Sequence, residues 1–323
     1  MLGRPAKFLV AAALALACTG SAWAFGTTRS LGQNAEHEKI TRLALACGRA
    51  QAPCFQPLTL DVLAGKKGTL GAIGAADVGT LTFQHKAHCD GGDFLDAPGY
   101  PQTAAKARAA LEVCRAWMRS EIEAATKEAG DVLDKTGAIR PEQTHLDCSF
   151  AGSFRGGAKC KALGDFGASL HAAQDFYAHS NWVDLPPTGP VGPQNPPGLG
   201  HDGPAPWLDW RTITPFPKGL ISDCFIGLPE SMFCNYGRTS RVKHAFINKD
   251  DGAIDVETGK VGAGTTPRGA SNGNFARAVR AAEAETQVKW ATLTELLRQR
   301  YGREKGDRIV CALISDAPAK SCR

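Results

Sequence analysis

Eight histidines stand in this chain, and three polar residues of one segment share a spacing that matters chemically. In Leu170-His171-Ala172-Ala173-Gln174-Asp175-Phe176-Tyr177-Ala178-His179-Ser180-Asn181-Trp182, the residues His171, Asp175 and His179 recur at intervals of four. A helix turns about 100° per residue, so each step of four rotates by only about 40° and all three leave the same face. Imidazole nitrogen and carboxylate oxygen are zinc donors. His171 and His179 would lie roughly 12 Å apart along the axis, whereas a zinc bond is about 2 Å, so the spacing calls for more than one ion with Asp175 placed to bridge. The structural alternative is a buried polar ladder tied to neighbouring helices.

Other segments supply further candidates. His37, in Asn34-Ala35-Glu36-His37-Glu38-Lys39-Ile40, falls on the core side of a helix whose wet face should carry Glu36, Glu38, Lys39 and Arg42. Asp77 precedes His85-Lys86-Ala87-His88-Cys89-Asp90, where either histidine could coordinate. His244 opens His244-Ala245-Phe246-Ile247-Asn248-Lys249-Asp250. Gly269-Ala270-Ser271-Asn272-Gly273 fits a nucleophile elbow, but only Gly, Thr, Pro and Arg lead into it, so a turn before the last long helix explains it better. The chain has no P-loop, no dinucleotide fingerprint and no CxxC pair.

Apolar residues at three and four spacing predict helices over 35–50, 103–133, 161–182 and 275–300. In 161–182 the metal-facing stripe includes Gly164, Gly167, Ala168 and Ala178, small enough to admit a close neighbour. Leu163, Phe166, Leu170 and Tyr177 would face the core. Residues 185–218 are dense in Pro and Gly and read as a long surface loop. Strand-like alternation is scarce, so the expected architecture is mostly α, a single multi-helix domain over 25–323.

Composition sets the context. With 43% hydrophobic and 21% charged residues in 323, the chain is neither disordered nor a multi-span membrane protein. Arg4 and Lys7 before an apolar run from Phe8 to Ala17, then Ala22-Trp23-Ala24, read as a signal peptide cleaved after residue 24. Lipidation of Cys18 fits less well, because Ala15 stands where a lipobox prefers Leu. Cleavage lowers the net charge from +5 to +3, too little to demand nucleic acid, and leaves ten of eleven cysteines. An even number in an exported chain reads as disulfides. Cys47/Cys54, Cys148/Cys160, Cys224/Cys234 and Cys311/Cys322 could each close a short loop. A secreted or periplasmic monomer is expected.

The fifteen residues Leu170 to Asp184, LHAAQDFYAHSNWVD, resemble the motif of the zinc-dependent phospholipase C superfamily, in its branch shared with HET-C-like proteins. His37, His88-Cys89-Asp90 and the segment beginning at His244 support the resemblance. It implies that the residue exposed by cleavage binds zinc through its own amine and carbonyl, a place Phe25 would take where the relatives carry Trp. It further implies Phe25, His37 and Asp175 at one zinc; Asp77, His88, His171 and Asp175 at a second; and His179 beginning a third. The relatives complete that third site with a His followed four residues later by a carboxylate. His201 and His244 are instead followed by Ala205 and Asn248. His244 is the preferred replacement, with Asp250, Asp251 or Glu283 as acid partners, so two ions are better supported than three.

The activity implied is a secreted zinc hydrolase cleaving a phosphodiester, a phospholipase C acting at a membrane surface on a phosphatidylcholine-like lipid. Asp77 would act as general base or water-orienting group. Phe83, Tyr177, Trp182, Trp207 and Trp210 could offer aromatic faces to a choline group. The rival readings are a single-strand-specific zinc nuclease and a non-catalytic HET-C-like metal-binding module. Glu283 and Glu285 read as part of a solvated face on the last long helix, with Glu283 the one that could turn to metal.

Overall fold

The computed structural model describes residues 25–29, 33–50, 53–224, 234 and 241–322. The signal-peptide and Cys18 expectations lie outside these residues.

The expected helices are present with shifted ends. They are α1 (Glu36–Leu45), α4 (Ala104–Ala129), α5 (Ala158–His179) and the helix Asn274–Tyr301. Among the described residues, helices not read from the sequence include α2 (Pro57–Ala64), the single turn α3 (His85–His88), Arg303–Ile314 and the single turns His244–Ile247, Pro267–Ala270 and Pro318–Ser321. Thr103 caps α4, its hydroxyl accepting from the Lys106 N–H at 3.3 Å, so the helix begins one residue later than periodicity suggests. A small antiparallel sheet pairs Gly252–Ile254 with Val261–Gly264. Within 185–218 the structure has one short 3-10 segment, Pro206–Leu208, and otherwise irregular backbone.

Helix α5 is the axis of the molecule. Only Lys161 and Asp165 of its residues escape full burial. Beyond those two positions the helix has no wet face, so the expected division into a core stripe and a recessed polar stripe becomes a division along its length. Leu163, Phe166 and Leu170 in its first half pack in an apolar cluster with Phe55, Trp290 and Leu293. Ala172, Ala173, Phe176 and Tyr177 in its second half join Phe25, Ile40, Met118 and Phe275 in another. The polar residues of interest sit in this second half.

The small residues of α5 do admit close neighbours, and those neighbours are the protein itself. A methyl group on Gly167 would lie 2.5 Å from the backbone of Ala72, and one on Gly164 2.5 Å from the Phe154 ring. Gly167 therefore lets the 3-10 segment Ala72–Asp77 press its backbone onto α5. Gly167→Val should push that segment away, costing about 1–3 kcal/mol of stability. Thermal unfolding checks this; an unchanged melting temperature would mean the contact is loose.

Five cysteine pairs stand at disulfide distance. They are the four short-range pairs, Cys47–Cys54, Cys148–Cys160, Cys224–Cys234 and Cys311–Cys322, together with Cys89–Cys114. This is compatible with an extracellular protein. Among the described residues no helix is long and apolar enough to cross a membrane.

Candidate metal centre

Four elements carry polar side chains into the second half of α5. His37 comes from the first turn of α1, Asp77 from the end of the 3-10 segment, His88 from the end of α3, and His171 and Asp175 from α5 itself. All but Asp77 are buried. The two oxygens of Asp175 part company: Oδ1 faces His37 Nε2 at 3.2 Å, while Oδ2 lies 3.0 Å from both His88 Nδ1 and His171 Nε2. The two ring nitrogens are 3.1 Å apart, and Asp77 Oδ1 stands 3.6 Å from His171 Nε2 and 4.0 Å from His88 Nδ1.

A second cluster lies further along α5. His179 Nε2 faces Asp250 Oδ1 at 3.3 Å, and His244 lies between Asp223 Oδ2 at 2.5 Å and Asp250 Oδ2 at 2.7 Å. Asp90 Oδ1 is 2.9 Å from His179 Nδ1. His171 and His179 thus belong to different clusters, as the distance between them along the helix requires. Cys89 separates the two. Its positive φ of 60° turns the chain so that His88 joins the first cluster and Asp90 the second, and its pairing with Cys114 anchors that turn to α4.

The far sides of the rings fix which nitrogen faces inward. Gln174 donates both N–H groups, to the Thr41 and Thr286 hydroxyls at 3.1 and 3.0 Å, so its oxygen is left to accept from His37 Nδ1–H at 2.8 Å. His37 Nε2 therefore presents a lone pair. His171 Nδ1–H likewise donates to the Ile73 carbonyl at 2.9 Å, leaving Nε2 as the inward donor atom. Metal-binding histidines are usually oriented in this way.

The donor set passes a direct test of fit. Atoms each about 2 Å from one ion stand about 3–3.5 Å from one another, which is the spacing of His88 Nδ1, His171 Nε2 and Asp175 Oδ2. His88 Nε2 and Asp223 Oδ1 are buried without a hydrogen-bond partner among the described residues, and His37 Nε2 with Asp175 Oδ1, and His179 Nε2 with Asp250 Oδ1, have only the longer ion-pair contacts to each other. Such atoms are costly unless something satisfies them. Three groupings could each hold an ion: His37, His171 and Asp175; Asp77, His88 and His171; and His179, Asp223 and His244.

Without metal, protons take the place of positive charge. Burial opposes protonation of His171, but the Asp175 and Asp77 carboxylates outweigh it and push its pKa up to about 9. Burial likewise opposes protonation of His244, while Asp250 and Asp223 raise it to about 10. Burial favours the neutral form of Asp175, yet His171, His179 and His37 hold it well below the usual carboxylate range. A histidine raised in the folded state stabilises fully below its unfolded value of about 6.5, and that contribution is lost as pH rises through the folded value. Metal-free protein should therefore lose thermal stability between about pH 7 and 10, and protein incubated with a divalent ion that these rings take up should lose less, since the ion would displace those protons. Parallel melting curves for the two forms would contradict this.

Of the remaining sequence candidates, Phe25 lies beside the first cluster, buried with its ring edge-on to His37 at 5.9 Å, and the others fall elsewhere. His201 stacks on Trp182 at 4.1 Å. Asp251 bonds Asn34 and Thr265 rather than either cluster. Glu283 is half-buried, with Arg49 and Arg280 as its charged neighbours. Glu285 departs from the solvated-face expectation: it is buried, accepting from the Tyr177 hydroxyl and pairing with Lys289, each at 2.8 Å. Glu36 and Glu38 are buried too, contrary to the expected wet face of α1. Glu36 accepts backbone N–H bonds from Gly26, Asn34 and Gly252, and Glu38 from Lys67 and Gly68. Tyr177, Trp182 and Trp207 belong to the core and offer no open aromatic face to a headgroup.

Asp223 and Gln174 were not singled out from sequence as site residues. Gln174 lies inside the motif, but Asp223 lies in Ser222-Asp223-Cys224 with no periodicity to mark it. Pairing sets its place: Gly91 N–H donates to its carbonyl at 2.7 Å, and Ser222 N–H to Gly92 O at 3.2 Å. Comparison of the chain with family models, curated proteins and solved structures finds no match.

Proposed function

We propose that this protein is a zinc-dependent phosphodiester hydrolase, with the reaction of a phospholipase C on a phosphatidylcholine-like lipid. The observation that carries the reading is the division of the Asp175 carboxylate, one oxygen toward His37 and the other toward His88 and His171, inside a buried set of convergent donors. His37, Asp175 and the backbone of Phe25 would hold one ion; Asp77, His88, His171 and Asp175 a second; His179, His244, Asp223 and Asp250 a third. Zinc bound there would supply a water whose pKa is lowered towards 7 and positive charge for the phosphoryl oxygens.

The chain's own residues define the rest. Asp77 is the most exposed carboxylate of the first cluster, with 12% of its side chain open, and the loosest fit to the two histidines. Its open edge can meet a water from solvent, and Asp77 can accept that water's proton or orient it as it attacks phosphorus opposite the diacylglycerol oxygen. Thr27 donates its hydroxyl to Asp77 Oδ2, holding Oδ1 toward the cluster. Burial of the histidines keeps their orientation fixed, so little reorganisation accompanies the change in charge.

The test is zinc-loaded protein assayed in parallel with phosphatidylcholine vesicles and single-stranded DNA. Phosphocholine release that chelation abolishes and zinc restores is the expected result. Mononucleotide release alone would favour a nuclease, and neither product a metal-binding module.

A further inference from the structure

A cavity of about 1100 Å³ opens between the first turn of α4 and the loop 185–218. Phe94, Tyr100, Val191, Phe216, Leu220 and Ile221 line it. Four prolines, Pro98, Pro193, Pro197 and Pro217, contribute further wall, and proline has no N–H to donate. A polar ligand would find few donors there, while an alkyl chain needs none. The volume is at the top of the range for small-ligand sites, roughly 300–1000 Å³. Val191 at the mouth is 59% exposed, an apolar side chain left open to an apolar visitor.

Position and charge narrow the occupant. Ile221 lies two residues before Asp223, and Phe94 follows the Gly91 and Gly92 backbone that pairs with 222–223. An extended strand advances about 3.3 Å per residue, so the cavity floor is within about 7 Å of the second cluster along the chain. Arg108 and Lys218 line the cavity with Asp96 as the one lining acid; the Arg108 guanidinium lies over the Phe216 ring at 5.2 Å and pairs through Nε with Glu112 at 2.8 Å, leaving its other N–H groups and Lys218 to meet an anion.

We propose that this cavity binds the fatty-acyl chain of an amphiphile whose anionic end is directed to the rim cations. Its relevance to turnover rests on the hydrolase reading, but the binding itself requires no metal.

The experiment uses chelated protein and the fluorescent fatty acid cis-parinaric acid, displaced by saturated fatty acids of increasing length. Saturable binding is expected, with displacement strengthening about 4-fold per added CH2 until the cavity is full. Butyrate should not displace it. Val191→Asp and Ala104→Trp alter exposed positions, so folding is retained, and each should weaken binding about 10-fold or more. No saturable binding, or binding that both variants leave unchanged, overturns the proposal. Tail binding in a protein that takes up no zinc would sink the hydrolase reading and leave this one standing; zinc uptake without tail binding would do the reverse.

Discussion

Asp175→Asn should remove most of the bound zinc and reduce phosphodiester turnover by about 10³-fold, or roughly 4 kcal/mol of transition-state stabilisation. The substitution keeps the shape of the side chain and replaces one oxygen with an N–H donor. Both oxygens already face imidazole nitrogens, Oδ1 toward His37 and Oδ2 toward His88 and His171. Whichever way the amide sits, one group of donors loses its anion. The metal-free protein should suffer as well, because Asp175 is the carboxylate that His171 leans on when protonated, and breaking a buried pair costs about 3–5 kcal/mol. Elemental analysis and turnover of the purified variant check the claim; unchanged zinc content would show that Asp175 does not bridge.

A chain beginning at Phe25 should bind zinc at least about 10-fold more tightly than one carrying a single extra alanine before it, and turn over about 100-fold faster. The local structure explains why so small a change matters. Gly26 is clamped on both sides, its N–H donating to Glu36 Oε2 at 3.0 Å and its carbonyl accepting from the His37 N–H at 3.3 Å. A methyl group on Gly26 would lie 2.5 Å from that same Glu36 oxygen. The backbone of residue 25 is thereby fixed beside His37, with its ring against His37 and Phe275. A free α-amine loses its proton near pH 8, so a zinc ion can displace it at neutral pH, whereas an amide nitrogen offers no such lone pair. Equal affinity in the two chains would remove residue 25 from the ligand set.

What the sequence disclosed follows from periodicity. The spacing of His171, Asp175 and His179 is a local property of one helix, and so is the conclusion that its two histidines serve different clusters. His37, Asp77, His88 and His244 could be nominated by residue type, but their convergence depends on how α1, the 3-10 segment, α3 and the segment after 241 dock on α5. That docking depends on features with little local signature. Gly167 admits the backbone of residues 72–73, and the left-handed turn at Cys89 sends His88 and Asp90 to different clusters. Asp223 is placed by pairing with Gly91, more than a hundred residues away in the chain. Glu36, Glu38 and Glu285 misled for a related reason. A charged residue on a helix normally marks water, but here backbone N–H groups, a tyrosine hydroxyl and Lys289 satisfy the carboxylates inside the fold. Of the aromatic residues considered for a headgroup, Tyr177, Trp182 and Trp207 are core, Trp210 is partly buried and Phe83 is exposed.

Counting metal ions per folded chain reaches the heart of the account. Protein purified without chelator and dialysed against zinc should retain about two or more ions per chain by elemental analysis, and a His88→Ala, His171→Ala double variant should fall by at least about one. A folded wild-type chain that retains less than about half an ion would mean that these imidazoles and carboxylates bind one another and protons only, and the hydrolase reading would fall with them.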